Sequence, residues 1–139
     1  MTGDRTTVLF LCVHNAGRSQ MAAALLERAA GDRVQVLSAG SEPADQLNPA
    51  VVEAMAEVGI DLRGRQPMRL TDELARRADT VVTMGCGDVC PVYPGTRHLD
   101  WALDDPAGKG IEQVRAIRDE IARRVEELAG RIAGPAGTP

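Results

Sequence analysis

Apolar positions along this chain change period from segment to segment, and each change marks an element. Thr7 to Val13 is a continuous apolar run rich in β-branched residues, which predicts a central strand covered on both faces. Helical spacing follows over Ser19 to Ala30, where Met21, Ala22, Leu25, Leu26 and Ala29 share a face and Gly31 supplies a stop. Val34 to Ala39 reads as a second strand. Asn48-Pro49 has the form of an N-cap followed by a first-turn proline, opening a helix through Val51, Val52, Met55 and Val58 to Gly59. Thr71, Asp72 and Glu73 start a shorter helix that ends near Arg77. Thr80 to Met84 and Thr96 to Leu99 predict two more strands, with Gly85 to Gly95 as the loop between them. From Ile111 to Ile132, Val114, Ile117, Ile121, Val125, Leu128 and Ile132 alternate steps of three and four, which predicts one long amphipathic helix closing a face of the sheet.

Strands that alternate with helices predict a three-layer α/β/α domain with a four-stranded parallel sheet, whose ligands bind at the carboxyl ends of the strands. Residues 1–133 read as a single domain, and the Gly- and Pro-rich segment 134–139 as a flexible tail. No internal repeat is present. Composition narrows the class: with 139 residues, 44% hydrophobic and 26% charged, the chain fits one globular core rather than a disordered or membrane protein. No apolar run reaches the length of a membrane span, and no signal-peptide pattern precedes the first strand, so the expected location is the cytoplasm. Three cysteines cannot all pair within one chain, which fits a reducing compartment and leaves at least one thiol free or transient. The net charge of −4, without basic runs, argues against nucleic acid or an anionic membrane as partner. It does not argue against a small anion held by local donors, because diffuse surface charge is screened over about 8 Å at physiological salt.

Those donors are expected just after the first strand, in Cys12-Val13-His14-Asn15-Ala16-Gly17-Arg18-Ser19. A loop that feeds a helix N-terminus offers free backbone N–H groups and the positive end of the helix dipole, a ready site for an oxyanion. Arg18 adds a planar fork for two anion oxygens, and the same field favours the Cys12 thiolate as a nucleophile. The bland reading is a buried structural cysteine beside a surface arginine. Within the loop, Asn15 tolerates a left-handed backbone, Gly17 an unusual one, and Ser19 either donates to the thiolate or caps the helix. His14 is expected to point away from the anion. Displacing an oxygen from a tetrahedral oxyanion calls for an acid, and Asp104-Asp105-Pro106 supplies one, with the proline restraining Asp105. A solvated acidic turn is the alternative. Cys86 and Cys90 flank Gly87-Asp88-Val89 beyond the third strand, where they form a redox relay, part of a zinc site with Cys12 or His98, or two inert buried thiols.

Several of these segments together resemble arsenate reductases built on the low-molecular-weight tyrosine phosphatase fold. They are Cys12-x5-Arg18-Ser19-Gln20-Met21-Ala22, Ser38-Ala39-Gly40, Thr83-Met84 before a cysteine loop, and Trp101-x2-Asp104-Asp105-Pro106. The resemblance implies a four-stranded parallel sheet flanked by helices. It also implies that Cys12 attacks arsenic, that Arg18 and the amides of residues 13–19 hold the oxyanion, and that Asp105 protonates the departing oxygen. In thioredoxin-coupled members arsenite then leaves as a Cys12–Cys86 disulfide forms, and Cys90 converts it to Cys86–Cys90 for reduction. The resemblance therefore implies no bound cofactor but an external thiol reductant, thioredoxin or mycothiol with its redoxin. Two departures stand out. The relay cysteines are three residues apart, closer than in the best-known thioredoxin-coupled pattern, and Ala23 stands where certain members carry a glutamate that helps bind potassium, so no metal site is carried over. The rivals are an arsenate–mycothiol transferase, a low-molecular-weight phosphatase, which the 2% aromatic content disfavours for aryl substrates, and a metalloid-sensing module.

Overall fold

In a computed structural model describing residues 6–84, 96–106 and 108–133, β1 (Thr6–Cys12) forms the inner strand that the apolar run predicts. Val8, Phe10 and Cys12 face one layer while Leu9 and Leu11 face the other, and Val8 to Leu11 are fully buried. A strand with no polar face fits only an interior position in a sheet covered on both sides. β2 (Val34–Gly40), β3 (Thr80–Thr83) and β4 (Arg97–Asp100) complete a four-stranded sheet in the order β2-β1-β3-β4, and every pairing is parallel. Its register brings Cys12 beside Gly40, Leu11 beside Thr83 and Thr83 beside Asp100, so the carboxyl ends of the strands form one rim. β1 and β4 each sit one residue away from the expected bounds, a shift at strand ends that apolar content alone does not fix.

Local signals set the helix bounds. α1 (Arg18–Ala30) ends at Gly31, whose φ of +59° an L side chain rarely adopts, and a short 3-10 turn (Gly31–Arg33) leads on to β2. α2 (Pro49–Glu57) is capped by Asn48, whose side-chain oxygen accepts from Ala50 N at 2.9 Å. α3 (Asp72–Arg77) is capped in the same way by Thr71, which accepts from Leu74 N at 3.1 Å. α4 (Ile111–Ala133) buries Val114, Ile117, Ile121, Val125 and Leu128 against α1 and α2. One large apolar core therefore lies between the sheet and α1, α2 and α4. A smaller one lies on the opposite face, where Leu70 and Leu74 pack on Leu9, Leu11, Ala39, Ala78 and Val81. Phe10 and Trp101 meet in the larger core at a ring separation of 5.8 Å. Among the described residues no helix is long and apolar enough to cross a membrane. The 85–95 segment and the 134–139 tail lie outside the described residues.

Candidate functional site

Cys12 ends β1 with only 2% of its surface exposed, and the chain turns from it through residues 13–17 into α1. Two donors converge on its sulfur: Asn15 N at 3.3 Å and the Ser19 hydroxyl, whose Oγ is 2.9 Å away. The direction of the second bond follows from groups whose polarity is fixed. The backbone N–H of Met68 can only donate, and it donates to Asn15 Oδ1 at 2.8 Å. Asn15 Nδ2 must then donate to Ser19 Oγ, 2.6 Å away, which leaves the Ser19 hydrogen to point at sulfur. A sulfur that receives hydrogens from both neighbours is held as a hydrogen-bond acceptor. Ser19 makes no capping bond; Gly17 occupies the cap position of α1.

The turn needs a left-handed residue, and Asn15 takes it with φ +52°. Gly17 adopts φ −143° and ψ −88°, outside both helical and extended regions, and its bare Cα also admits Pro106, whose Cγ would lie 2.7 Å from a Cβ placed there. The loop's carbonyls face the segment that follows β2. Cys12 O, Val13 O, His14 O and Ala16 O accept from Ser41 N, Glu42 N, Ala44 N and Asn48 N at 3.2, 2.8, 3.0 and 3.0 Å. With its oxygens engaged there, the loop keeps N–H groups for an anion, as the Asn15 N–H to sulfur contact illustrates.

Arg18 opens α1 and is 5% exposed, with Nη1 donating to Leu103 O at 3.1 Å and Nη2 3.6 Å from Asp105 Oδ2. Asp105 itself is 46% exposed at the side chain. Cys12, His14, Ala16, Gly17, Arg18, Asn48, Asp105 and Pro106 line one cavity of about 470 Å³ at the sheet rim. His14 is exposed and remains at the cavity wall, whereas Val13 packs toward the smaller core. Asp104 is exposed and is absent from that lining. Cys12, His14, Ala16, Gly17, Arg18 and Asp105 are thus brought together at one cavity, Asn15 and Ser19 bond to the Cys12 sulfur, Val13 turns to the smaller core, and Cys86 and Cys90 lie outside the described residues. No cluster of three or more His, Cys, Asp or Glu side chains that could hold a metal occurs among the described residues, and Ala23 contributes only a buried methyl.

Three residues that the sequence motifs contain, but to which they give no role in the site, support it. Gln20, 2% exposed, donates from Nε2 to Asn15 O, Asn15 Oδ1 and Gln66 O at 3.2, 3.1 and 3.3 Å, tying the loop to the 66–68 strap. A polar residue beside Met21 and Ala22 on a buried helix start was the available signal. Gly40 is the second, because a Cβ there would lie 2.6 Å from Val13 O and 3.0 Å from Asn15 N. Asn48 is the third, beyond its capping role.

The profile of the low molecular weight phosphotyrosine protein phosphatases matches residues 7–135. A Bacillus cereus protein named arsenate reductase 1 is 40% identical over 130 residues, covering 91% of this chain and 96% of its own. A Corynebacterium glutamicum thioredoxin-dependent arsenate reductase is 47% identical, with a TM-score of 0.83 over 95% of this chain, although this chain spans only 64% of that protein. The structure of an arsenate reductase in the phosphate binding state, 32% identical, matches with a TM-score of 0.82 over 92% of this chain and 99% of that one. A match through nearly the whole chain, joined to the same four-stranded parallel sheet, leaves one assignment: the chain belongs to the low molecular weight phosphotyrosine protein phosphatase family, alongside proteins named arsenate reductases.

Proposed function

We propose that this protein reduces arsenate to arsenite, using Cys12 as nucleophile, Arg18 and the amides of residues 13–19 as the oxyanion cradle, and Asp105 as the acid. The observation that carries the reading is the hydrogen-bond chain from Met68 N through Asn15 and Ser19, which makes the Cys12 sulfur an acceptor at the base of the cavity. Sulfur forms a bond to arsenic as one hydroxyl group of the arsenate leaves, taking a second proton from Asp105 and departing as water. A second thiolate then attacks Cys12 sulfur; a disulfide forms, and the sulfur–arsenic electron pair leaves with arsenic as arsenite. Cys86 supplies that thiolate and Cys90 resolves the bridge to Cys86–Cys90, which thioredoxin reduces. The protein holds no cofactor, works in the cytoplasm and serves arsenic detoxification. Support comes from a relative titled thioredoxin-dependent and from several named arsenate reductases.

Phosphotyrosine hydrolysis is the weaker reading of the same cradle. Among the described lining residues there is no Phe, Tyr or Trp to meet an aryl group, and Phe10 and Trp101 are committed to the core. The test is arsenate-dependent NADPH oxidation with thioredoxin and its reductase, run beside mycothiol and its redoxin. Turnover with thioredoxin is expected; NADPH consumption only with mycothiol would overturn the relay. Cys90→Ser should trap a Cys12–Cys86 bridge after one turnover, and a Cys12 adduct with the small thiol alone would exclude the internal route.

A further inference from the structure

Asn48 touches three parts of the molecule at once. Its backbone N–H donates to Ala16 O at 3.0 Å, inside the loop that carries Cys12. Its Oδ1 accepts from Ala50 N at 2.9 Å and caps α2. Its Nδ2 reaches Pro106 O at 3.4 Å, 58 positions along the chain and next to Asp105. The amide orientation is fixed from both ends, because Ala50 N can only donate and a proline carbonyl can only accept. The same carbonyl also accepts from Lys109 N at 3.1 Å, so the turn after Asp105 is closed on the atom that Asn48 grips. On the cavity side Pro106 rests against Gly17, with no room for a Cβ between them.

We propose that Asn48 is a positioning residue for Asp105: it sets the acid loop at a fixed distance from the Cys12 loop, so that the carboxyl group meets the oxygen leaving arsenic. The inference rests on the assignment of Asp105 as the acid. The Asn48 side chain bonds Ala50 N and Pro106 O and touches neither the Arg18 guanidinium nor a loop amide with a hydrogen bond, so anion binding and proton delivery are separable at this residue. A general acid displaced by about 1 Å loses on the order of a hundredfold in rate, and a partial displacement loses less.

Two variants isolate the contact. Asn48→Asp keeps an oxygen for Ala50 N and turns the other end into an acceptor facing Pro106 O. Asn48→Ser keeps an oxygen at the cap without the reach to Pro106. The readout is a single turnover of the full-length chain, in which the limiting rate of arsenate-dependent thiol loss and the arsenate concentration at half that rate are measured. Both variants are expected to lower the limiting rate about tenfold and leave the half-saturating arsenate within about twofold of wild type. In an Asp105→Asn background neither should lower the rate further, because a residue that acts through the acid has nothing left to position. An equal loss from both variants with and without Asp105 would overturn the Asn48 proposal alone, and so would wild-type rates in both. An Asp105→Asn chain as fast as wild type would overturn the acid assignment and the Asn48 role with it.

Discussion

The base and the lip of the cavity are built in opposite ways. At the base, Cys12, Asn15, Ser19 and Gln20 are almost fully buried, and their polar atoms are joined to one another and to the 40–48 and 66–68 segments. The lip, residues 103–106, is held by Arg18 on Leu103 O, by Asn48 on Pro106 O and by the seat of Pro106 on Gly17, while Asp105 stays close to half exposed. Buried, mutually satisfied polar groups resist movement because each broken bond strands a partner away from water. The Asp105 carboxyl, by contrast, keeps contact with water on a loop that is held in place beside it. The contrast suits the proposed chemistry, in which the charge site stays fixed while substrate and product pass the acid.

The largest effect belongs to the base. Cys12→Ser should lower arsenate reduction by about 10⁴-fold or more, with phosphate still bound in equilibrium dialysis; a residual rate within tenfold of wild type would place the nucleophile elsewhere. On the lip, Asp105→Asn should cost about a hundredfold in the single-turnover rate, with arsenate affinity close to unchanged. Removing a lip residue should not unfold the protein, whereas removing one from the base should weaken it. Asn15→Ala strands Met68 N, removes the donor to Ser19 Oγ and takes away the short polar side chain that favours the left-handed backbone there, so urea titration should show a loss of about 2 to 4 kcal/mol. A loss below 0.5 kcal/mol would mean that the base is no more tightly built than the lip.

A remote pair supplies the smallest effect and the control. Arg115 and Arg118 hydrogen-bond Glu57 and hold its carboxyl well below the usual range, at about 2 against 4.5. Because the folded value is the lower one, this pairing stabilises the protein above about pH 4.5 and loses that contribution as pH falls toward 2. Glu57→Gln should therefore flatten the acid side of the stability profile over that window, by a small amount for so exposed a group, and leave arsenate turnover at pH 7 unchanged. A matching drop in turnover would show that the α2–α4 face communicates with the cavity.

Much of the fold was legible because its signals are local. The apolar run of β1, the Asn48-Pro49 start of α2, the Thr71 cap and the Gly31 stop each sit within a few residues of the structure they produce. In the site, the left-handed backbone at Asn15 and the Ser19–Cys12 contact were legible for the same reason. Gln20 on Gln66 O, Met68 N on Asn15 and Asn48 on Pro106 O were not, since their partners are 46, 53 and 58 positions apart and an amide shows no preference until the fold chooses its neighbour. His14 is exposed at the cavity wall.

Where Pro106 rests on Gly17, base and lip are separated by the thickness of one bare backbone. Even a methyl group at position 17 would act as a wedge, tilting the proline ring outward and widening the mouth. The spacing of the two halves of this enzyme is therefore written in a single hydrogen atom, the one that alanine would replace.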